Sequence, residues 1–401
     1  MNGEAEAIGA GIETLAHAGE AVAESGQEHF RLPALIAALS LGCVALLMLG
    51  VQPLVLGALL SDHRISVSEL TWSATVEMLG LGLVSALLAG FLPHRQLRVL
   101  GAAATVILAL ANFAGLYCNG LGVIACRAVV GVSGGVVLWI VAGLITRSAS
   151  AVRISGIFLG AQSLTQAALA AAIPGFAGFT GANTGLVAMG VVALLMLPLV
   201  LLLPNQLSIL PKPPPGRGPL SLPGGLGLAA TFLMMAGVVG LWVFIQALGK
   251  MDGVDDKTAS FVIAASLATQ ILGAAAVAVF GPRLPTVPSL VAVGLGNLAV
   301  VALIGLLHGG AVFLPATLLF GFLWTAGLPL VFPLLTQIDP TRRVAMLSSG
   351  AQLLGSAAGP LLTGLFATDA NVRPVLPTSA ALFCAAVLAI VLAGAFIRKG
   401  R

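Results

Sequence analysis

The chain has 401 residues, 59% hydrophobic and only 8% charged, with a mean hydropathy of +1.09. So little charge cannot cover the surface of a soluble protein this size, which excludes a water-soluble enzyme or nucleic-acid binder and leaves an integral membrane protein. The apolar residues run in stretches long enough to cross a bilayer as helices, which needs about 20 residues. Aromatics at 5% and the lack of short alternating segments exclude a transmembrane barrel.

Residues 1–30 form the one sizeable polar segment, with Glu4, Glu6, Glu13, Glu20, Glu24 and Glu28 and no apolar h-region behind a basic start. They read as an acidic cytoplasmic tail without a cleavable signal. From Arg31 onward twelve apolar spans follow, at 32–60, 70–92, 97–118, 119–146, 153–178, 184–204, 224–250, 258–281, 287–307, 310–337, 343–368 and 376–397. The expected fold is therefore an all-α membrane protein of twelve transmembrane helices in two pseudo-symmetric six-helix bundles. The six-helix units run from 31 to 204 and from 224 to 397, with a short tail at 398–401.

An even number of spans puts both termini on one side. Of 18 Lys and Arg residues, Arg127 lies within a span and Arg64, Lys250, Lys257 and Arg373 fall in one set of loops; all the others flank the face that carries the termini. The excess places both termini in the cytoplasm of a multi-pass inner-membrane protein, and it accounts for the net charge of +4 without nucleic acid. Residues 205–223 are rich in proline that no helix interior tolerates and read as a cytoplasmic linker between the halves.

An internal repeat supports that division. A shift of 190 residues lays Gly160-Ala-Gln-Ser-Leu-Thr-Gln-Ala-Ala168 over Gly350-Ala-Gln-Leu-Leu-Gly-Ser-Ala-Ala358, and the same shift pairs Gly131 with Gly321 and Leu144 with Leu334. One register across two spans predicts halves related by an axis along the membrane normal.

Gly90-Phe-Leu-Pro-His94-Arg95-Gln-Leu-Arg98, in the loop after the second span, and Arg127-Ala-Val-Val-Gly131-Val-Ser-Gly134-Gly135, in the fourth, resemble two motifs of the major facilitator superfamily. The loop motif reads G-x-L-A-D-R-x-G-R-[RK] in that family, so His94 replaces an Asp and Leu97 a Gly. The Gly-Pro pair of the antiporter signature is missing from the fifth span. The resemblance covers residues 31 to 397 and implies a secondary transporter working by alternating access, with Gly90, His94, Arg95 and Arg98 in a conformational gating loop.

The intramembrane charges can be read without that resemblance. Glu77 and Arg127 are the two ionisable residues well inside spans, both roughly 10 Å from the same membrane face. Either they form a static ion pair or they couple a proton to a solute: burial disfavours the ionised carboxylate, a guanidinium favours it, and a solute engaging the arginine would shift the balance. Gln52, Gln162, Gln166, Gln270 and Gln352 lie at middle depths in both halves. Each amide is interhelical glue or cavity lining, and together they favour a polar substrate cavity, with Trp242, Gln246 and Trp324 completing its wall. Trp72 and Tyr117 fall at span ends as interfacial anchors.

Other chemistries fit less well. Gly131-Val-Ser133-Gly134 matches the GxSG pattern of intramembrane serine proteases, yet no histidine lies within a span, so no enzyme is expected. The four cysteines have no ligand spacing, and no phosphate loop follows a strand, so neither metal nor other cofactor is expected. The reading is a monomeric, proton-coupled secondary transporter of a small organic solute, with partners limited to solute, protons and the bilayer. Efflux of amphipathic drugs or toxic metabolites is the alternative. A non-transporting membrane sensor or assembly partner with the same fold is a third.

Overall fold

The computed structural model describes residues 30–148, 150–173, 181–208, 220–307, 310–339 and 343–399. The acidic tail before Phe30, Pro174-Gly175, most of the proline-rich linker and His308 lie outside the described residues.

Apolar backbone in a bilayer must bond to itself, and the chain does so as helices. The first span is two helices, α1 (Leu32–Ala45) and α2 (Leu47–Ser61). There follow α3 (Val67–Phe91), α4 (Leu97–Ala114), α5 (Leu121–Arg147), α6 (Ala151–Ala172), α7 (Ala182–Met196), α8 (Leu222–Met251), α9 (Asp256–Phe280), α10 (Thr286–Leu306), α11 (Gly310–Ile338), α12 (Arg343–Gly364) and α13 (Val375–Lys399). Among the described residues, eleven stretches are long and apolar enough to cross a membrane. The helix missing from that set is α12, which is 22 residues long but diluted by Ser348, Ser349, Gln352 and Ser356. The fifth span is helical over Ala151–Ala172, and its expected end at 178 lies outside the described residues. The sixth tightens into a 3₁₀ turn at Leu197–Leu202, where Pro198 removes an N–H, and the last helix runs on to Lys399.

Helix starts follow local chemistry. Ser66 and Glu69 close a capping box on α3, Asp255 accepts from the N–H groups of Lys257 and Thr258, and Ser221 caps α8 ahead of Pro223. Arg64, which the sequence presents only as a loop charge, ties three loops together. Its guanidinium donates to Asn119 Oδ1 (3.1 Å), Asn183 Oδ1 (2.8 Å) and the carbonyls of Gly115, Leu116 and Cys118 at the end of the third span. The face that carries Arg64 and the other loops after odd-numbered spans is called the first-loop face below, and the opposite one the terminal face.

Small residues set how closely the helices approach. A side chain on Gly131 of α5 would collide with the backbone of Glu77 in α3, and one on Gly135 with the carbonyls of Gly80 and Leu81. The same approach recurs in the second half: Gly321 of α11 lies against the Ser266 carbonyl of α9, and Gly273 of α9 against that of Phe322. Gly131 and Gly321 are the pair that the repeat predicts to be equivalent.

Gly160 has no atom within 4 Å of the place a Cβ would occupy and shares an exposed stripe with Ile157 and Leu164. Gly131→Leu should therefore destabilise the protein by about 1–3 kcal/mol or prevent its assembly, while Gly160→Leu changes stability by less than about 0.5 kcal/mol. Melting temperatures in detergent test the contrast, and equal shifts would contradict the packing.

Candidate functional site

Arg127 and Glu77 are 1% and 2% exposed, with Nη1 and Oε2 3.9 Å apart. The two enter their helices at different depths, Glu77 ten residues after Val67 and Arg127 six after Leu121. Gly131, one turn after Arg127, packs on the Glu77 backbone, so one helical turn separates the two residues and their side chains span it. The contact is too long for a hydrogen bond. The arginine's short bond goes to Asn112 of α4, whose Oδ1 accepts from Nη2 at 2.8 Å while its Nδ2 donates to the Leu108 carbonyl. Asn112 is 1% exposed and the sequence reading misses it. A buried Asn at the level of an intramembrane arginine was the available signal.

Gln52 is 0% exposed and lies in α2, which packs on α3, α6, α7 and α8. Gln52 Nε2 and Oε1, Ser73 Oγ, Glu77 Oε2, and Arg127 Nε and Nη1 are all buried without a protein hydrogen-bond partner. Such atoms mark a polar interior that protein groups alone leave unsatisfied.

A second group occupies the seam between the halves. Gln166 of α6 donates to the Leu46 carbonyl at the break of the first span, 2.7 Å. Trp242 of α8 donates from Nε1 to the carbonyls of Leu49 and Gly50, each at 3.1 Å. Gln246 lies over Gly57, and Ser163 of α6 reaches Gln270 Oε1 of α9 at 3.4 Å. Trp242, Phe320 and Trp324 form one aromatic cluster, with Trp242 edge-on to Trp324 at 5.8 Å. Gln162 and Gln352 are half-buried on the terminal side of this group.

The seam is closed at one end. At the first-loop face Lys250 Nζ donates to Ser61 Oγ (2.7 Å) and the Val67 N–H to Asp369 Oδ1 (2.6 Å), both across the halves. Deeper in, Gly364 lies against Thr71 and Gly82 against Leu353. Beyond Gly82 towards the terminal face, Ala89 of α3 and Ser349 of α12 are exposed.

The loop after the second span grips the start of the linker. Arg98 Nε donates to the Leu203 carbonyl (2.7 Å), Leu97 N–H to Asn205 O, and Leu207 N–H to His94 O, while Arg95 pairs with Gln206. His94 stacks on Trp139 at 4.3 Å, with Nδ1 3.4 Å from Arg147 Nη2. Gly90, at the end of α3, has no neighbour within 4 Å.

Two outcomes follow. Burial first, and the Arg147 charge second, lower the His94 imidazole from 6.5 to about 4, against a smaller opposing effect of a Trp139 backbone bond. The unfolded chain then binds more protons than the folded one between those values, so stability should fall as pH drops from about 6.5 towards 4. His94→Phe keeps a ring on Trp139 and should flatten that part of the melting-temperature profile; an unchanged slope would exonerate His94. Arg127→Ala strands Glu77 in the interior and should cost about 3–5 kcal/mol. The double variant Glu77→Gln with Arg127→Gln should recover part of this, and equal melting temperatures would show that the two residues do not interact.

No family model matches the chain, and no curated protein matches it significantly. Solved structures do match. A nucleoside transporter, NupG, superposes with a TM-score of 0.70 at 11% identity, covering 90% of this chain and 100% of its own. A D-xylose–proton symporter gives 0.68 at 13% identity, covering 91% and 97%. A bacterial homologue of the human lysosomal transporter Spinster, in an inward-facing, unoccupied conformation, gives 0.63 at 16% identity over 91% and 95%. The twelve helices, the doubled packing and these superpositions together give the chain the fold of the major facilitator transporters.

Proposed function

We propose that this chain is a secondary active transporter that moves a small organic solute across the inner membrane by alternating access, driven by protons. The observation that carries the coupling is the Glu77–Arg127 pair: a buried carboxylate held 3.9 Å from a guanidinium whose short hydrogen bond goes to Asn112 instead. An ion pair built only for stability gains from short, hydrogen-bonded contact, because desolvation of both charges must be offset. Here the carboxylate keeps one oxygen without a partner, and its charge is balanced by one group alone. A proton on Glu77 would release Arg127 towards another acceptor, and loss of that proton would draw it back.

In this reading the half-buried Gln162 and Gln352 line the terminal side of the solute cavity, with Gln166, Gln246, Gln270, Trp242 and Trp324 at its closed end. The terminal face is cytoplasmic, as the basic loops indicate, so this conformation opens inward. The fold's recurrence in proteins that carry a pentose, nucleosides or other cargo leaves substrate class to the side chains.

The test uses proteoliposomes loaded with a pH-sensitive dye and challenged with sugars, nucleosides, organic acids and amines. A solute that moves protons with the wild-type protein should move none with Glu77→Gln, while radiolabelled exchange of the same solute persists within about tenfold. Undiminished proton movement in the variant would remove Glu77 from the mechanism.

A further inference from the structure

The first span breaks its own hydrogen-bond ladder, and the break faces the other half of the molecule. Pro53 lies inside α2 and has no N–H, so the Leu49 carbonyl, four residues back, has no helical donor. In a membrane interior that carbonyl needs a partner from elsewhere. The donor is Trp242 Nε1, 3.1 Å away, on a helix of the second half. The indole is 0% exposed and held from behind by Phe320 and Trp324 at ring separations of 6.2 and 5.8 Å. With the ring fixed in this way, the N–H is shared between the Leu49 carbonyl and that of Gly50, also at 3.1 Å.

Its place along the seam matters. The other bonds across the first-loop end, Lys250 to Ser61 and Val67 to Asp369, are near the rim, where water can replace them. Trp242 is the deepest hydrogen bond that spans from α8 to the first span, neutral and unscreened by salt. It stands between the closed rim and the part of the seam that opens towards the terminal face.

We propose that Trp242, bonded to the carbonyl that Pro53 leaves free, is the latch that holds the halves together on the first-loop side and must break each time the protein opens to that side. The proposal rests on the alternating-access reading. It assigns Pro53 a purpose beyond a kink: it keeps the Leu49 carbonyl available to the opposite half. The ring of Trp242 supplies packing, and its N–H supplies the latch.

The experiment uses the full chain in lipid nanodiscs with Cys43, Cys118, Cys126 and Cys384 replaced by serine. Spin labels go on Ser68→Cys and Ala370→Cys, exposed positions of the two halves at the first-loop face, and in a second sample on Leu87→Cys and Ser349→Cys towards the terminal face. Trp242→Phe keeps a ring and removes the N–H. Pro53→Ala supplies an N–H that bonds Leu49 within the helix and withdraws that acceptor, leaving Trp242 the Gly50 carbonyl alone. Trp242→Phe should raise the population with a long first-loop distance about fivefold to tenfold, the loss of one buried hydrogen bond, and shorten the terminal-face distance. Pro53→Ala should shift both distances in the same direction by about twofold to fivefold, and the double variant should do no more than Trp242→Phe alone. Should Trp242→Phe fail to fold, Pro53→Ala carries the prediction in its smaller size. Unchanged distances in the variants, or additive effects, overturn the latch. Exchange between two distances in the wild type with no response in the variants overturns the latch alone, whereas a single fixed distance in every protein overturns alternating access with it.

Discussion

A helix in hydrocarbon has to satisfy its own backbone, and the first span of this protein does not. The break at Leu46, where φ is −103° and ψ 2°, and Pro53, about two turns further on, leave carbonyls able to accept from side chains of other helices. Gln166 answers the first and Trp242 the second. Because one donor comes from each half, the same defect organises both walls of the seam. The aromatic cluster around Trp242 and the glutamine positions on α6 and α9 follow from where those two donors must stand. A regular first helix would have left the closed state to the rim bonds of Lys250 and Val67 and to the Ser163–Gln270 contact, with no bond between the first span and the core of α8.

The amino-terminal half solves a different problem, the presence of an arginine among apolar helices. Three helices bring polar side chains together there: Glu77 from α3, Asn112 from α4 and Arg127 itself from α5. The corresponding core of the second half is aromatic. Trp242 is the position 190 residues after Gln52, and its neighbours Phe320 and Trp324 correspond to Val130 and Gly134. One architecture thus carries a polar core in one half and an aromatic core in the other. The glycines that set the helix spacing, Gly131 and Gly321, are the same in both.

The spans, the repeat and the depth of each polar residue can be read from the sequence because they depend on position along one axis. Rotation about that axis cannot be read as surely. Gln52 and Gln166 have similar chemistry and lie in apolar helices, yet Gln166 donates to the Leu46 carbonyl while both amide atoms of Gln52 are buried without a protein partner. Asn112 escaped notice because an uncharged amide near a helix end is ordinary. Arg64 and Asp369 escaped because loop charges are expected, and nothing local tells that Arg64 gathers three loops or that Asp369 reaches the first N–H of α3 across the halves. The loop after the second span was legible as a motif but not as a clasp, since its partners, Leu203 to Leu207, lie at the end of the sixth span.

How a proton inside the first half could reach a seam on its surface is a question of which helix faces both. Helix α3 does. Glu77 and Gly80 lie against α5, with the backbones in contact at Gly131 and Gly135. On another face of α3, Thr71 lies against Gly364 and Gly82 against Leu353, both in α12 of the opposite half. The contact with α5 is backbone on backbone, with no side chain to absorb a displacement, so a shift of α3 on α5 requires Gly131 to slide or separate. The contacts with α12 involve flexible side chains and can re-form at a new register. A change of charge at Glu77 would therefore be resisted on the side of α5 and expressed on the side of α12. That side is the boundary between the halves: it continues up to the Asp369 cap on Val67 at the closed rim and down to the exposed Ala89 and Ser349.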